Sequence, residues 1–213
     1  MKKGRKILLM AACAVLLVCI SVGATVAYLT ATDTVTNTFT VGNIQIKLDE
    51  AKANTDGTLV AGADRVKANS YKLLPGHTYN KDPMVTVLKD SEPAYIKMTV
   101  TFSKANELDA IFAPDGANLT SIFNGYNAAN WTAKGNTKDT TANTRTYEFW
   151  YKEAVGAPTA DVALDALFDS ITVPGTITAD QLKTIEGMTI TVNAYAIQAD
   201  GFANETAAWE AYK

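Results

Sequence analysis

Cysteine and histidine are nearly absent from the sequence. The 213 residues contain two cysteines, Cys13 and Cys19, and a single histidine, His77. Residues 28–213 therefore offer no disulfide, no thiolate nucleophile and no cysteine-based metal site. His77 follows Pro75-Gly76 in a predicted turn, without the partner residues that a zinc site or a Ser-His hydrolase needs. Most hydrolase and metalloenzyme schemes are thereby excluded.

Positive charge is scarce beyond the first residues. Four of the 19 lysines and arginines lie in residues 1–27, which contain no acidic residue. The remaining 186 residues carry 15 basic side chains against 22 acidic ones, a formal charge of −7. An acidic chain without a basic stripe argues against nucleic acid as a partner.

The N-terminal residues follow the order that is typical of a secretory signal peptide. Residues 1–6 are cationic, residues 7–20 form an apolar run of 14, and residues 21–27 are mostly small. A bilayer crossing needs about 20 residues, so we predict a cleaved signal peptide (residues 1–27) rather than an uncleaved anchor. Cleavage is expected between Ala27 and Tyr28, with cleavage after Ala24 as the alternative. The mature chain would be secreted, with no stable membrane anchor.

Short alternating runs of β-branched residues predict a mainly β protein. The clearest run, Ala94–Ser103, is typical of a half-buried antiparallel strand, with one apolar face made of Ile96, Met98, Val100 and Phe102. Residues 84–88, 146–152 and 188–198 predict further strands. The strands show no regular β-α alternation. This favours an antiparallel β-sandwich with short helical insertions, forming one domain over residues 28–213.

Three segments have helical signals. Residues 160–171 place apolar side chains along one helical stripe, at Leu164, Leu167, Phe168 and Ile171. Thr178-Ala-Asp-Gln181 matches a capping box and predicts a short helix that ends at Gly187. Residues 204–213 suit a terminal helix. Residues 51–70 and 124–145 are rich in Ala, Asn, Thr, Gly and Lys and are predicted to be long loops.

The apolar residues of segment 38–48 change phase half-way along it. The first apolar residues stand at odd-numbered positions, Phe39 and Val41. The later ones stand at even-numbered positions, Ile44, Ile46 and Leu48. A bulge or kink at Gly42-Asn43 would restore one continuous apolar face. A tight Gly-Asn hairpin is the alternative. We favour the kink because residues 30–38 are rich in Thr, Asp and Asn.

No motif for catalysis is present. The sequence contains no HExxH, P-loop, GxSxG or GxGxxG motif, and its carboxylates do not have calcium-loop spacing. We therefore predict no catalytic, cofactor-binding or metal-binding residue, no cofactor and no enzymatic activity. Trp131, Trp150 and Tyr126 could bind sugars if they were exposed, although positions in the core or at its rim suit each of them better.

Three motifs accompany the export signal. Ala27-Tyr28-Leu29 is followed by Phe39-Thr-Val-Gly42-Asn-Ile44-Gln-Ile46, Leu74-Pro75-Gly76 precedes the strand at 84–88, and Val192-Asn-Ala-Tyr-Ala-Ile-Gln-Ala-Asp-Gly201 lies near the end. Together they resemble the TasA/camelysin (CalY) family of exported proteins from Gram-positive bacteria. The resemblance covers both ends of the chain but not the middle, roughly residues 104–174.

The resemblance implies a jelly-roll-like β-sandwich that self-associates into fibres of the extracellular biofilm matrix. It also implies a SipW-type signal peptidase as the partner during export. In such fibres the N-terminal segment of one subunit completes the sheet of the next. We expect residues 28–41 to be this inter-subunit strand, with apolar anchors at Tyr28, Leu29, Val35, Phe39 and Val41.

Other functions stay open on the sequence alone. Camelysin-type members have been classed as metallopeptidases, but this sequence has no recognisable zinc motif, so that activity does not carry over. A monomeric surface adhesin or binding module would need no fibre, and a minor pilus or surface component would share only the export signal. In these cases residues 38–48 would stay within their own subunit.

Overall fold

Nine strands and three helices make up the described part of the protein. The structure, a computed structural model, describes residues 42–112 and 123–212, and Gly4 by itself. All of these strands and helices belong to the unit Val41–Lys213. The predicted signal peptide, its cleavage site at Ala27 and Tyr28, and the predicted inter-subunit strand lie outside the described residues. In chain order the elements are β1 (Ile46–Asp49), β2 (Thr78–Asn80), β3 (Met84–Val87), β4 (Ala94–Ser103), α1 (Ala105–Phe112), β5 (Trp131–Asp139), β6 (Thr144–Tyr151), β7 (Val162–Ala163), β8 (Ser170–Thr172), α2 (Ala179–Thr184), β9 (Ile190–Gln198) and α3 (Glu205–Ala211).

The largest sheet has four antiparallel strands in the order β5-β6-β4-β9. In its centre, Met98 of β4 pairs with Phe149 of β6 on one side and with Ala194 of β9 on the other. Every second side chain of β4 is buried, namely Ala94 and the four that the alternation predicted. The predicted strand Ala94–Ser103 is thus confirmed with its bounds and its buried face.

Two smaller antiparallel sheets complete the β structure. One has the order β1-β3-β7, and the other pairs β2 with β8. Val85 and Val87 of β3 are fully buried in the same hydrophobic cluster as the inward residues of β4 and β6. Ile46 and Leu48 of β1 pack against this cluster, as does Ile44 before the strand. The mainly β, antiparallel character predicted from the sequence is therefore confirmed, and side chains from two sheets share one core.

The predicted helix at residues 160–171 is wrong. Val162–Ala163 forms β7 beside β3, and β8 begins at Ser170. Leu164, Leu167 and Phe168 are buried as the stripe suggested. Their backbone is hydrogen-bonded to the segment at β3 instead of forming a helix. The N–H of Leu164 donates to the carbonyl oxygen of Val85, and the N–H of Leu167 donates to the carbonyl oxygen of Pro83. Tertiary hydrogen bonding outweighed the helical spacing.

The predicted loop at residues 124–145 is also wrong in part, because it contains β5. This strand carries polar residues and has a register shift between Ala133 and Gly135, which marks a bulge. The helix α1 was not predicted. The capping box is confirmed: the Thr178 hydroxyl accepts from the Gln181 N–H at 3.2 Å, and the Gln181 side chain accepts from the Thr178 N–H at 2.9 Å. The terminal helix is confirmed as α3.

No helix among residues 42–112 and 123–212 is long and apolar enough to cross a membrane.

Gly57 stands in a turn that only glycine fits. Its φ is +90°, and a Cβ atom there would lie 2.7 Å from both the carbonyl oxygen of Thr78 and the Cα of Tyr79. We expect Gly57→Ala to lower the free energy of unfolding by more than the roughly 1 kcal/mol that left-handed backbone alone costs a non-glycine residue. Urea denaturation of the two proteins measures the difference.

Gly62→Ala is the matched control for that substitution. Gly62 also has a positive φ, of +68°, but nothing lies within 4 Å of the Cβ position. The alanine at position 62 should therefore show the backbone cost without the clash. Equal losses in the two variants would contradict the close approach of Thr78 and Tyr79 to Gly57.

Candidate functional site

A cavity of about 830 Å³ opens between β1 and β9, and it is called here the β1–β9 cavity. Much of its wall is apolar, with side chains from the end of β4, from α1 and from the start of β9: Phe102, Leu108, Phe112, Met188, Ile190 and Val192. The volume lies within the range of about 300–1,000 Å³ that ligand sites in proteins have. The cavity is therefore large enough to receive apolar side chains or a small molecule.

A charged cluster stands at the β1 end of the cavity, where Asp49, the last residue of β1, is followed by a second acidic residue, Glu50. The guanidinium of Arg65 bridges two carboxylates, lying 2.5 Å from Asp49 Oδ1 and 2.8 Å from Asp82 Oδ2. Lys47 Nζ lies 2.6 Å from the other oxygen of Asp49. Burial raises the pKa of Asp49, but the hydrogen bonds from Lys47 and Arg65 outweigh it and hold this pKa below its ordinary value.

Next to that cluster, the carboxylate of Glu50 contacts an amine and an amide. Its Oε2 lies 2.6 Å from Lys81 Nζ, and its Oε1 accepts a hydrogen bond of 3.0 Å from Asn69 Nδ2. Glu50 and Lys81 are buried, at 6% and 8% exposed. Tyr71 lines the same wall, and its burial, with a contribution from the Glu50 charge, raises its pKa to about 12.

A second charge centre lies across the cavity on α1. Asp109 Oδ2 accepts from Arg145 Nη2 at 2.6 Å and from Lys138 Nζ at 2.8 Å. Burial raises the pKa of Asp109, but these two hydrogen bonds outweigh it and lower the pKa. This arrangement fixes α1 to β5 and β6, so the apolar wall that α1 contributes to the cavity is held in place.

Acid is expected to destabilise the fold through these two carboxylates. Folding lowers the pKa of Asp49 and of Asp109. Both therefore stabilise the fold above the ordinary aspartate pKa of about 3.9, and this contribution disappears as the pH falls through the lowered values. The free energy of unfolding, measured in urea, should decrease from about pH 5 downward.

The variant Asp109→Asn tests the origin of that decrease. Asparagine cannot titrate, so the loss of stability with falling pH should become less steep than in the original chain. An unchanged steepness would mean that Asp109 binds its proton equally well in the folded and unfolded chain.

The outer edge of β9 is open among the described residues. The N–H of Ser103 donates to the carbonyl of Thr189, and the N–H of Ala199 donates to that of Pro93. In an antiparallel ladder these bonds direct the odd-numbered residues of β9 toward β4 and the even-numbered ones outward. No other backbone within residues 42–112 and 123–212 hydrogen-bonds to that outer edge. Its first residues, Ile190–Val192, line the β1–β9 cavity.

The residues considered on sequence grounds lie apart from this cavity. His77 is exposed in its turn, with its ring 6.3 Å from that of Tyr79. Trp131 and Trp150 are buried, which confirms positions in the core for these two, and Tyr126 is half-buried. Within the described ranges, no group of three or more His, Cys, Asp or Glu side chains is arranged to hold a metal ion. The five predicted anchors of the inter-subunit strand lie outside the described residues.

Sequence reasoning did not find the Glu50, Asn69 and Lys81 group. Asn69 lies 19 positions after Glu50 and Lys81 lies 31 positions after it, and these separations match no motif. The only signal is a pair of adjacent acids, Asp49-Glu50, directly after an apolar alternating run.

No protein-family model, no curated protein and no solved structure matches the chain.

Proposed function

We propose that the protein is a secreted structural subunit of extracellular biofilm-matrix fibres, with a jelly-roll-like β-sandwich fold. In this proposal residues 28–41 of one copy add as a strand to the next copy. The observation that carries the proposal is the open edge of β9 beside the β1–β9 cavity. An unpaired edge is a template for a further strand, and pockets beside it give specificity for alternate side chains.

The acceptor has both parts that strand addition uses. Even-numbered residues of β9 direct their N–H and C=O groups outward, so an added strand gains main-chain hydrogen bonds. The β1–β9 cavity offers apolar walls to side chains of the added strand. Burying Phe39 and Val41 there would contribute roughly 1.5–3 kcal/mol each. Two sheets that share one core support the sandwich part of the proposal.

The donor side is tested by sedimentation and electron microscopy of the chain that begins at Tyr28. This chain should form fibres, whereas a chain beginning at Thr40, or the variant Phe39→Asp, should stay folded by circular dichroism and remain monomeric. Thr40→Asp is the matched control, because its side chain points to the opposite face of an extended strand from that of Phe39. Normal fibres from the Phe39→Asp chain would remove the donor role from this segment.

The acceptor side is tested by Ala194→Pro in β9. Ala194 directs its N–H outward, so proline removes a hydrogen-bond donor to an added strand. The hydrogen bonds between β9 and β4 do not use this N–H and are kept. We expect a folded monomer that can still donate its own N-terminal segment to a copy with an intact β9. Fibres of this variant alone would show that strands do not add to β9.

A monomeric binding module is the second candidate, favoured by the size and mixed lining of the β1–β9 cavity. It predicts no fibres from the chain that begins at Tyr28. Nothing among the described residues favours the metallopeptidase alternative.

A further inference from the structure

Glu50 brings the amine of Lys81 and the side-chain amide of Asn69 to one carboxylate. The two oxygens of the Glu50 carboxylate hold the two reacting groups side by side, Lys81 Nζ at 2.6 Å and Asn69 Nδ2 at 3.0 Å. The Asn69 amide is fixed from both sides as well. Its Nδ2 also donates to the carbonyl of Ala51 at 2.9 Å, and its Oδ1 accepts from the N–H of Ala53 at 2.9 Å.

We propose that Lys81 and Asn69 condense to an intramolecular isopeptide bond, with Glu50 as the group that transfers the protons. Nothing in the proposed fibre function requires this bond, and the bond does not depend on that function.

The base and the oxyanion donor that the reaction needs are both among the contacts already described. An amine attacks only when it is neutral, so the reaction needs a base beside Lys81. Glu50 is the base that accepts the ammonium proton, at hydrogen-bond distance. The Ala53 N–H points at the amide oxygen, where negative charge develops during attack, and stabilises it there.

The step balances without any further reactant. Lys81 transfers a proton to Glu50, and the lone pair on Nζ forms a bond to Cγ of Asn69. The bond between Cγ and Nδ2 then breaks, with Nδ2 protonated by Glu50. One of the two protons left on Nζ passes to the same carboxylate, and the other stays on the nitrogen of the new amide. The products are the new amide between Lys81 and Asn69 and one ammonia, which leaves with the extra proton as ammonium. No oxidant or reductant is needed.

The bond would fasten two chain segments that hold the cavity wall. Asn69 lies in the irregular segment after the Glu50–Val66 bridge, and Lys81 lies between β2 and β3. A covalent link across the residues between them restricts the unfolded chain, as a disulfide would. Residues 28–213 contain no cysteine, so this link would supply what an exported chain commonly obtains from disulfides.

Peptide mass spectrometry of the full, folded chain tests the proposal. Trypsin does not cut after an acylated lysine, so residues 68–72 should appear joined to residues 73–89, with fragments that place the link between Asn69 and Lys81. The intact mass should be lower than the sequence mass by one ammonia. Folded protein of unmodified mass would overturn the proposal. So would a loss of ammonia that maps to Asn124-Gly125, where ring closure of an asparagine gives the same mass change.

Three variants separate the chemistry from the ion pair. Lys81→Arg keeps the positive charge beside Glu50 but has no attacking amine, and Glu50→Gln keeps a hydrogen-bonding side chain but cannot accept a proton. Both should show the full unmodified mass. Lys67→Arg, which alters an exposed lysine bonded to the carbonyl of Leu48, should keep the link. A linked peptide in folded Glu50→Gln protein, formed as completely as in the original chain, would contradict the role of Glu50.

Discussion

Phe123→Ala should lower the free energy of unfolding by about 3–5 kcal/mol, the cost of removing a buried phenylalanine side chain from a core. Phe123 is 1% exposed. Its ring lies 4.5 Å from that of Phe168 and 5.5–5.9 Å from three others, those of Phe102, Tyr147 and Phe149. Alanine would leave a cavity between strands of the large sheet and the segment before β8. Urea denaturation with a constant m-value measures the loss.

Two controls accompany this substitution. Phe123→Leu keeps most of the buried volume and should cost clearly less, because it removes the ring contacts but leaves a smaller void. Phe112→Ala removes the same side chain from a position that is 37% exposed, so it should also cost less. If Phe123→Ala cost no more than Phe112→Ala, the cluster of rings would not be the centre of the core.

Asp109→Ala should cost about 3 kcal/mol, because it leaves Arg145 without its carboxylate partner in a site of low solvent access. The side chains of Arg145 and Asp109 are only 11% and 16% exposed. Lys138 loses the same partner but is more accessible to water, at 26% exposed. Thermal and urea denaturation of the variant at neutral pH measure the loss.

The control is the double variant Asp109→Ala with Arg145→Met. Removing both charges leaves no uncompensated ion, so the double variant should be more stable than Asp109→Ala alone. A loss below about 1 kcal/mol for Asp109→Ala would place this pair among exposed ion pairs, which stabilise little.

The elements predicted correctly are those whose signal is local. The alternation of β4 reflects burial of one face, and the capping box at Thr178 reflects hydrogen bonds within four residues. The errors arise where hydrogen bonds to residues that are distant in the sequence decide the structure. Residues 160–171 have helical spacing, yet their N–H groups find partners near β3. The strand β5 has a polar, loop-like composition and is held by pairing with β6.

The candidate site was not predictable for the same reason. The β1–β9 cavity joins α1, the start of β9 and the end of β1, which are far apart in sequence. Two contacts bring Glu50, Asn69 and Lys81 together. These are the pairing of β1 with β3 and the bridge between Glu50 and Val66. The pattern of a single sequence holds no record of such long-range contacts.

The two edges of the large sheet are unlike, and this gives any assembly through it a direction. At β5, the bulge between Ala133 and Gly135 and the lysines of the strand oppose the approach of another strand, and Lys134 is drawn over the Trp150 ring at 3.9 Å. At β9, the edge is regular, and residues 42–112 and 123–212 give it no such protection. Two copies therefore cannot pair β5 to β5 as readily as a strand adds to β9. In the proposed fibre the two ends would therefore differ, one presenting an unpaired β9 edge and the other an unpaired N-terminal segment.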